Sequence, residues 1–128
     1  MEEETKQQNQ RKILIVEDEK PMARILEVKL KNQGFDAHAV FSGEEGLTEL
    51  LTGTYDLVLL DIMMPGVDGW KILSEAKEKN ISTKILVTSN LSQEQDIAEA
   101  KKLGAVGFIV KSNTTLAGIV EEVLSVLS

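Results

Sequence analysis

Four short apolar runs, residues 13–16, 57–60, 85–87 and 108–110, set the frame of this chain. Each is too short for a helix and lacks the polar alternation of a strand with one wet face, so each reads as a strand buried on both sides. A fifth, weaker strand over 37–41 carries His38, and its polar content reads as an edge. Longer stretches with helix punctuation lie between them. Pro21 suits a first helical turn, Ile25, Leu26, Val28 and Leu30 supply an apolar side, and Gly34 ends it. Ser42 with Glu45, and Ser92 with Gln95, have the spacing of capping boxes. Lys101 and Lys102 followed by Gly104 form a favourable helix end. A last helix over 115–127 aligns Leu116, Ile119, Val120, Val123 and Leu127 on one side. Strict alternation of strand and helix predicts an α/β domain, a parallel sheet with helices on both faces and right-handed crossovers.

Composition narrows what such a domain can do. A chain of 128 residues with 42% hydrophobic content can bury one core and is too apolar for a disordered segment. Residues 1–11, with three glutamates and three glutamines, read as a flexible polar tail, leaving 12–128 as the domain. The absence of cysteine excludes a disulfide framework, thiolate metal sites and thiol catalysis, and fits a reducing, cytoplasmic setting. No apolar run approaches the ~18 residues that cross a bilayer, so no membrane association is expected. With 14 Lys and Arg against 21 Asp and Glu, the net charge of −7 argues against binding nucleic-acid phosphates.

The chemistry collects at strand ends. Glu17 and Asp18 follow the first strand, Asp61 the third, while Thr88 and Lys111 close the fourth and fifth. In an open parallel sheet all these ends share one edge, where ligands bind, so residues far apart in sequence converge. Three gathered carboxylates repel one another unless a cation neutralises them. An oxygen-only set without His or Cys selects a hard ion, and few side-chain ligands favour Mg²⁺ over a full Ca²⁺ cage. A cation beside one lysine and one hydroxyl suits a phosphoryl group, and one carboxylate could act as its nucleophile. Taken singly, each residue also has a bland reading. Glu17 and Asp18 could cap a helix, Asp61 could start the turn at Pro65-Gly66, Lys111 could snorkel, Thr88 could be strand filler and Phe108 core. Met63 and Met64 read as pocket wall and core, Trp70 as a packing aromatic and His38 as a surface residue.

Glu17-Asp18, the segment Asp61-Ile-Met-Met-Pro65-Gly66-Val-Asp68-Gly69, Thr88, and Gly104-Ala105 leading to Phe108 and Lys111 together resemble the receiver domain of bacterial response regulators. The resemblance runs in order from Lys12 to the C-terminus. It implies a flavodoxin-like, doubly wound five-stranded parallel sheet of order 2-1-3-4-5, an order that general accounts of the fold illustrate with a chemotaxis receiver. It also implies roles. Asp61 would accept a phosphoryl group from a phosphohistidine on a sensor histidine kinase or histidine phosphotransfer protein. Glu17, Asp18, Asp61 and the Met63 carbonyl would hold Mg²⁺. Lys111 would pair with the phosphoryl group, and Thr88 and Phe108 would relay the change to the surface over 92–127. Such a domain modifies only itself and is not an enzyme in the turnover sense. The chain reads as a stand-alone switch acting on a downstream effector protein, as a monomer or a phosphorylation-dependent dimer.

The pattern departs from the family where Ser112 stands in place of a proline after Lys111, which bears on whether that peptide bond is cis. The lack of an acid or amide at Met63 to position water predicts slow loss of the phosphoryl group. Two other classes compete. A Toprim-like Mg²⁺-dependent phosphoester enzyme wants Asp-x-Asp after a later strand, which Asp61-Ile62-Met63 lacks. A flavodoxin-like cofactor binder wants a hydroxyl-rich phosphate loop where this chain has Glu17-Asp18-Glu19.

Overall fold

A computed structural model describes residues 10–128. The tail expected over 1–11 therefore lies outside the described residues, except for its last two positions. The elements are β1 (Lys12–Val16), α1 (Lys20–Asn32), β2 (Asp36–Val40), α2 (Gly43–Thr52), β3 (Leu57–Asp61), α3 (Gly69–Glu78), β4 (Lys84–Ser89), α4 (Glu94–Lys102), β5 (Gly107–Val110), a 3-10 turn at Lys111–Asn113 and α5 (Leu116–Leu127). All pairings are parallel, in the order β2-β1-β3-β4-β5, so the expected topology is the observed one and β2 is an edge.

Two cores follow from the period-two alternation of strand side chains. Ile13, Ile15, Leu57 and Leu59 pack against Leu26 and Leu30 of α1 and Ile119 and Val123 of α5. Leu14, Val16, Val58 and Leu60 face the other way, onto Leu50 of α2, Ile72 and Leu73 of α3, and Ala100 of α4. Each such leucine or isoleucine, taken fully out of water, contributes roughly 1.5–3 kcal/mol. The sheet is thereby clamped on both faces, and its rigid strand ends are what position the site.

Much of the local punctuation forms as expected. Ser42 Oγ accepts the Glu45 amide at 3.2 Å, while the Glu45 carboxylate accepts the Ser42 hydroxyl and the Phe41 amide. Gly34 (φ +95) ends α1 by turning left-handed, which lets the Gly34 and Phe35 amides reach the Lys31 and Leu30 carbonyls. Thr115 caps α5 by accepting the Gly118 amide at 3.0 Å.

Three expectations change. Ser92 and Gln95 form no capping box. Gln93 is the N-cap of α4, and its carbonyl, not a side chain, accepts the Asp96 and Ile97 amides. Ile25 and Val28 are not on the buried side of α1, being 44% and 55% exposed, whereas Ala23, Leu26, Glu27 and Leu30 face inward. The inward Glu27 explains the orientation, because its carboxylate accepts the Ala39 amide of the edge strand at 2.9 Å and pairs with Arg24 at 3.1 Å. Finally, Arg11 belongs to the folded unit. Its carbonyl accepts the Asp36 amide at 3.0 Å, and its guanidinium donates to the Leu127 carbonyl. Among the described residues, no helix is long and apolar enough to cross a membrane.

Candidate functional site

Parallel register brings the predicted residues to one edge. Val16 lies opposite Val40 and Leu60, Asp61 opposite Thr88, and Ser89 opposite Val110. Glu17 prolongs the β1–β2 ladder by donating its amide to the Val40 carbonyl at 3.2 Å. Asp61 is the last residue of β3. The loop after it is held tightly. The Gly69 amide donates to the Ile62 carbonyl at 2.9 Å, and a Cβ on Gly69 would sit 2.6 Å from Ile62 Cα and 2.7 Å from the Asp61 carbonyl oxygen. Only glycine allows that approach. Asp68 then caps α3 by accepting the Lys71 amide at 3.0 Å.

Around this edge Glu17, Asp18 and Asp61 each offer a carboxylate oxygen within 4.8 Å of the others. Glu17 is 2% and Asp61 4% exposed, while Asp18 is half-buried. The Lys111 ammonium lies between two of them, 2.5 Å from Glu17 Oε1 and 3.3 Å from Asp61 Oδ2. The remaining oxygens are also engaged. Glu17 Oε2 accepts the Glu19 amide at 3.1 Å, and Asp61 Oδ1 accepts the Met63 amide at 3.3 Å.

Burial dominates the electrostatics. It pushes the Glu17 carboxyl up to about 7, against the Lys111 and Glu19 hydrogen bonds, with the neighbouring Asp61 charge adding to the rise. Burial likewise raises Asp61 above its usual range, opposed by Lys111 and the Met63 amide and helped by the Asp18 charge. Burial works against the Lys111 charge, yet the hydrogen bond and charge of Glu17, with Asp61, hold it above the ordinary lysine range. One ammonium is thus shared by two buried acids, and burial raises both of their carboxyls. The donor set is oxygen only, the chemistry that a hard divalent cation fits.

Thr88 is 3% exposed and sits directly across the ladder from Asp61. Phe108 is half-buried against the second core, as is Trp70. Met63 is 59% exposed, and Met64 is core at 7%, as expected. His38 is exposed on the edge strand. The described backbone contains no cis peptide, so Lys111-Ser112 is trans and turns through the 3-10 segment instead. Sequence reasoning missed Glu19, whose carboxylate lies 3.9 Å from Lys111 at the exposed rim. The run Glu17-Asp18-Glu19 was the available signal.

A doubly wound sheet with buried acids and one lysine at its carboxyl edge has the form of a ligand-binding α/β switch point. The family model described as "Response regulator receiver domain" matches residues 13–122, and the chain belongs to that family. The transcriptional regulatory protein DltR of Streptococcus agalactiae is 39% identical over 100 residues, covering 78% of this chain and 45% of that protein. Response regulator ArlR of Staphylococcus saprophyticus is 38% identical with the same coverage. The chain thus spans less than half the length of these relatives. Among solved structures, the Francisella response regulator 1452 receiver domain superposes with TM-score 0.85 at 27% identity, covering 91% of this chain and 96% of that one. The response regulator TrrA of Thermotoga maritima, solved in complex with Mg²⁺-BeF, gives TM-score 0.79 at 29% identity, with 92% and 99% covered.

Proposed function

We propose that this receiver domain is a phosphorylation switch in which Asp61 is the phosphoryl acceptor. The observation that carries this reading is the Lys111 ammonium, 2.5 Å from Glu17 and 3.3 Å from Asp61, beside three converging carboxylates. A carboxylate oxygen of Asp61 attacks phosphorus of a phosphohistidine held by a sensor kinase or phosphotransfer protein. The P–O bond forms as the P–N bond breaks, and the imidazole leaves and takes up a proton. Lys111 steadies the phosphoryl oxygens and supports the ionised form of Asp61. Glu17, Asp18, Asp61 and the Met63 carbonyl are the groups that would hold Mg²⁺, which when bound supplies charge that neutralises the phosphoryl oxygens.

Thr88, across the ladder from Asp61, and Phe108, one strand further, supply the route by which the change reaches the surface over 92–127. That surface would then meet an effector protein or an adjoining domain. Gain of an acyl phosphate in place of one carboxylate adds about one negative charge at the edge, and that is the signal. The domain modifies itself and releases no other product, so it is a switch rather than a turnover enzyme. Incubation with a small acyl-phosphate donor and Mg²⁺ should add one phosphoryl group by intact mass. Asp61→Asn should abolish the addition, and undiminished labelling of that variant overturns the assignment.

A further inference from the structure

The loop that follows Asp61 is braced from outside the site by the first turn of α2. A Cβ on Gly43 would run into the Val67 carbonyl oxygen and sit 2.6 Å from its carbon, so helix and loop backbone meet with nothing between them. One residue on, the Glu44 carboxylate lies over Gly66 (φ +75), where a Cβ would come within 2.7 Å of Glu44 Oε2. Near the next turn, Gly46 rests on β1, its Cβ position 2.7 Å from Val16 Cγ1. Val16 directly precedes Glu17 and Asp18, while the loop that contains Val67 begins after Asp61 and carries Met63. The start of α2 therefore touches both segments that bring the acids together, although it supplies none of them.

We propose that Gly43 is a positioning residue for this site: by admitting the Val67 carbonyl against α2, it sets where the loop over 62–68 holds the Met63 carbonyl relative to Glu17, Asp18 and Asp61. Alanine is the better helix former, so on propensity alone a methyl at position 43 would help α2. In this setting it forces two backbones apart, and a backbone carbonyl cannot swing aside as a side chain would. The helix is held by Leu50 in the second core, by Gly46 on Val16, and by the Ser42–Glu45 box. The loop is held at its far end by the Gly69 amide on the Ile62 carbonyl. Displacement therefore falls on the segment between, which carries Met63. Mg²⁺ demands near-octahedral geometry at short distances, so a displaced carbonyl is a poorer ligand. The brace stands on the geometry of α2 and the loop, and its bearing on Mg²⁺ rests on the ligand set proposed above.

The test titrates the full chain with MgCl₂ and follows the amide NMR shifts of residues 61–69, a readout that needs no phosphoryl transfer. Gly43→Ala should raise the Mg²⁺ dissociation constant roughly 10-fold to 100-fold, as lost support of a metal ligand does. Before any Mg²⁺ is added, its amide shifts should already differ from wild type over 62–68. Gly53→Ala is the control at the other end of α2, where a Cβ would be crowded by the Tyr55 ring at 2.7 Å and the Glu49 carbonyl oxygen at 2.8 Å. It should lose stability in urea yet keep its Mg²⁺ affinity within about twofold of wild type. Folded Gly43→Ala with wild-type affinity overturns the proposal, as does equal weakening by Gly53→Ala. Should Gly43→Ala fail to fold, Gly66→Ala decides. Its Cβ meets only the movable end of Glu44, so the strain falls on the left-handed loop backbone. The same loss of affinity is expected there, and unchanged affinity overturns the proposal. Wild type that binds no Mg²⁺ overturns the proposal together with the ligand set. Wild type that binds Mg²⁺ but accepts no phosphoryl group from a small acyl-phosphate donor overturns the function proposed above, and the measured affinities alone then support or overturn the role of Gly43.

Discussion

Glu17 and Glu27 are both buried, 2% and 8% exposed, but their environments pull them in opposite directions. At the α1–β2 seam, burial raises the Glu27 carboxyl, yet the Ala39 amide and Arg24 outweigh it and leave the group below its usual range. At the carboxyl edge of the sheet, burial wins at Glu17 and lifts it to about 7, although Lys111 is closer to it than Arg24 is to Glu27. The difference lies in how deeply each is buried and in the partners each has. Glu27 has a backbone donor and an arginine to itself, whereas Lys111 also serves Asp61 and reaches towards Glu19. A buried acid with its own partners is structural, while a group of buried acids that share one ammonium suits, on the function proposed above, a cation and a phosphoryl group.

Removing the shared partner should break this contrast most severely. Lys111→Met leaves Glu17 and Asp61 buried without their ammonium. It should lower the rate of phosphoryl acceptance by about 100-fold. It should also destabilise the protein by about 3 kcal/mol in denaturant titrations without divalent cation. Glu27→Gln should cost less, about 1–2 kcal/mol, because one charge-assisted bond to the Ala39 amide is weakened. The two glutamates are further separated by pH. The Glu27 carboxyl is depressed in the folded protein, so its contribution is present above the unfolded value near 4.5 and is lost as pH falls through the lower folded value. Urea midpoints between pH 3 and 6 should therefore depend less steeply on pH in Glu27→Gln than in wild type. The smallest effect belongs to the amino-terminal edge of the sheet, where Lys84 donates to the Val126 carbonyl at 3.1 Å in an exposed setting. Lys84→Met should shift stability by less than about 1 kcal/mol, read by thermal melting, and leave phosphoryl acceptance unchanged.

The sheet was legible because a strand buried on both faces has little freedom in composition. Leu57-Val58-Leu59-Leu60 is apolar throughout, and its alternate side chains fill opposite cores. The site was legible for a related reason. Asp61 directly after that run, and Lys111 after Phe108-Ile109-Val110, are charges placed where burial makes them costly. What escaped depended on partners distant in sequence. Ile25 and Val28 looked as apolar as Leu26 and Leu30, and only the Ala39 amide selects the face that carries Glu27 inward. The Ser92–Gln95 spacing was a local signal overridden when the chain left β4 at Ser89, whose hydroxyl accepts the Leu91 amide, and began α4 at Glu94.

The central claim is that the acids gathered at the carboxyl edge serve Asp61 as the phosphoryl acceptor. Reductive trapping tests it most directly. The chain is phosphorylated with a small acyl-phosphate donor in Mg²⁺ and treated with borohydride, which reduces an aspartyl phosphate to homoserine, and the peptides are then mapped. The predicted result is homoserine at position 61 alone, lost when Mg²⁺ is replaced by a chelator. Trapping at Asp18 or another acid, or a phosphoryl group found on His38, would contradict the account.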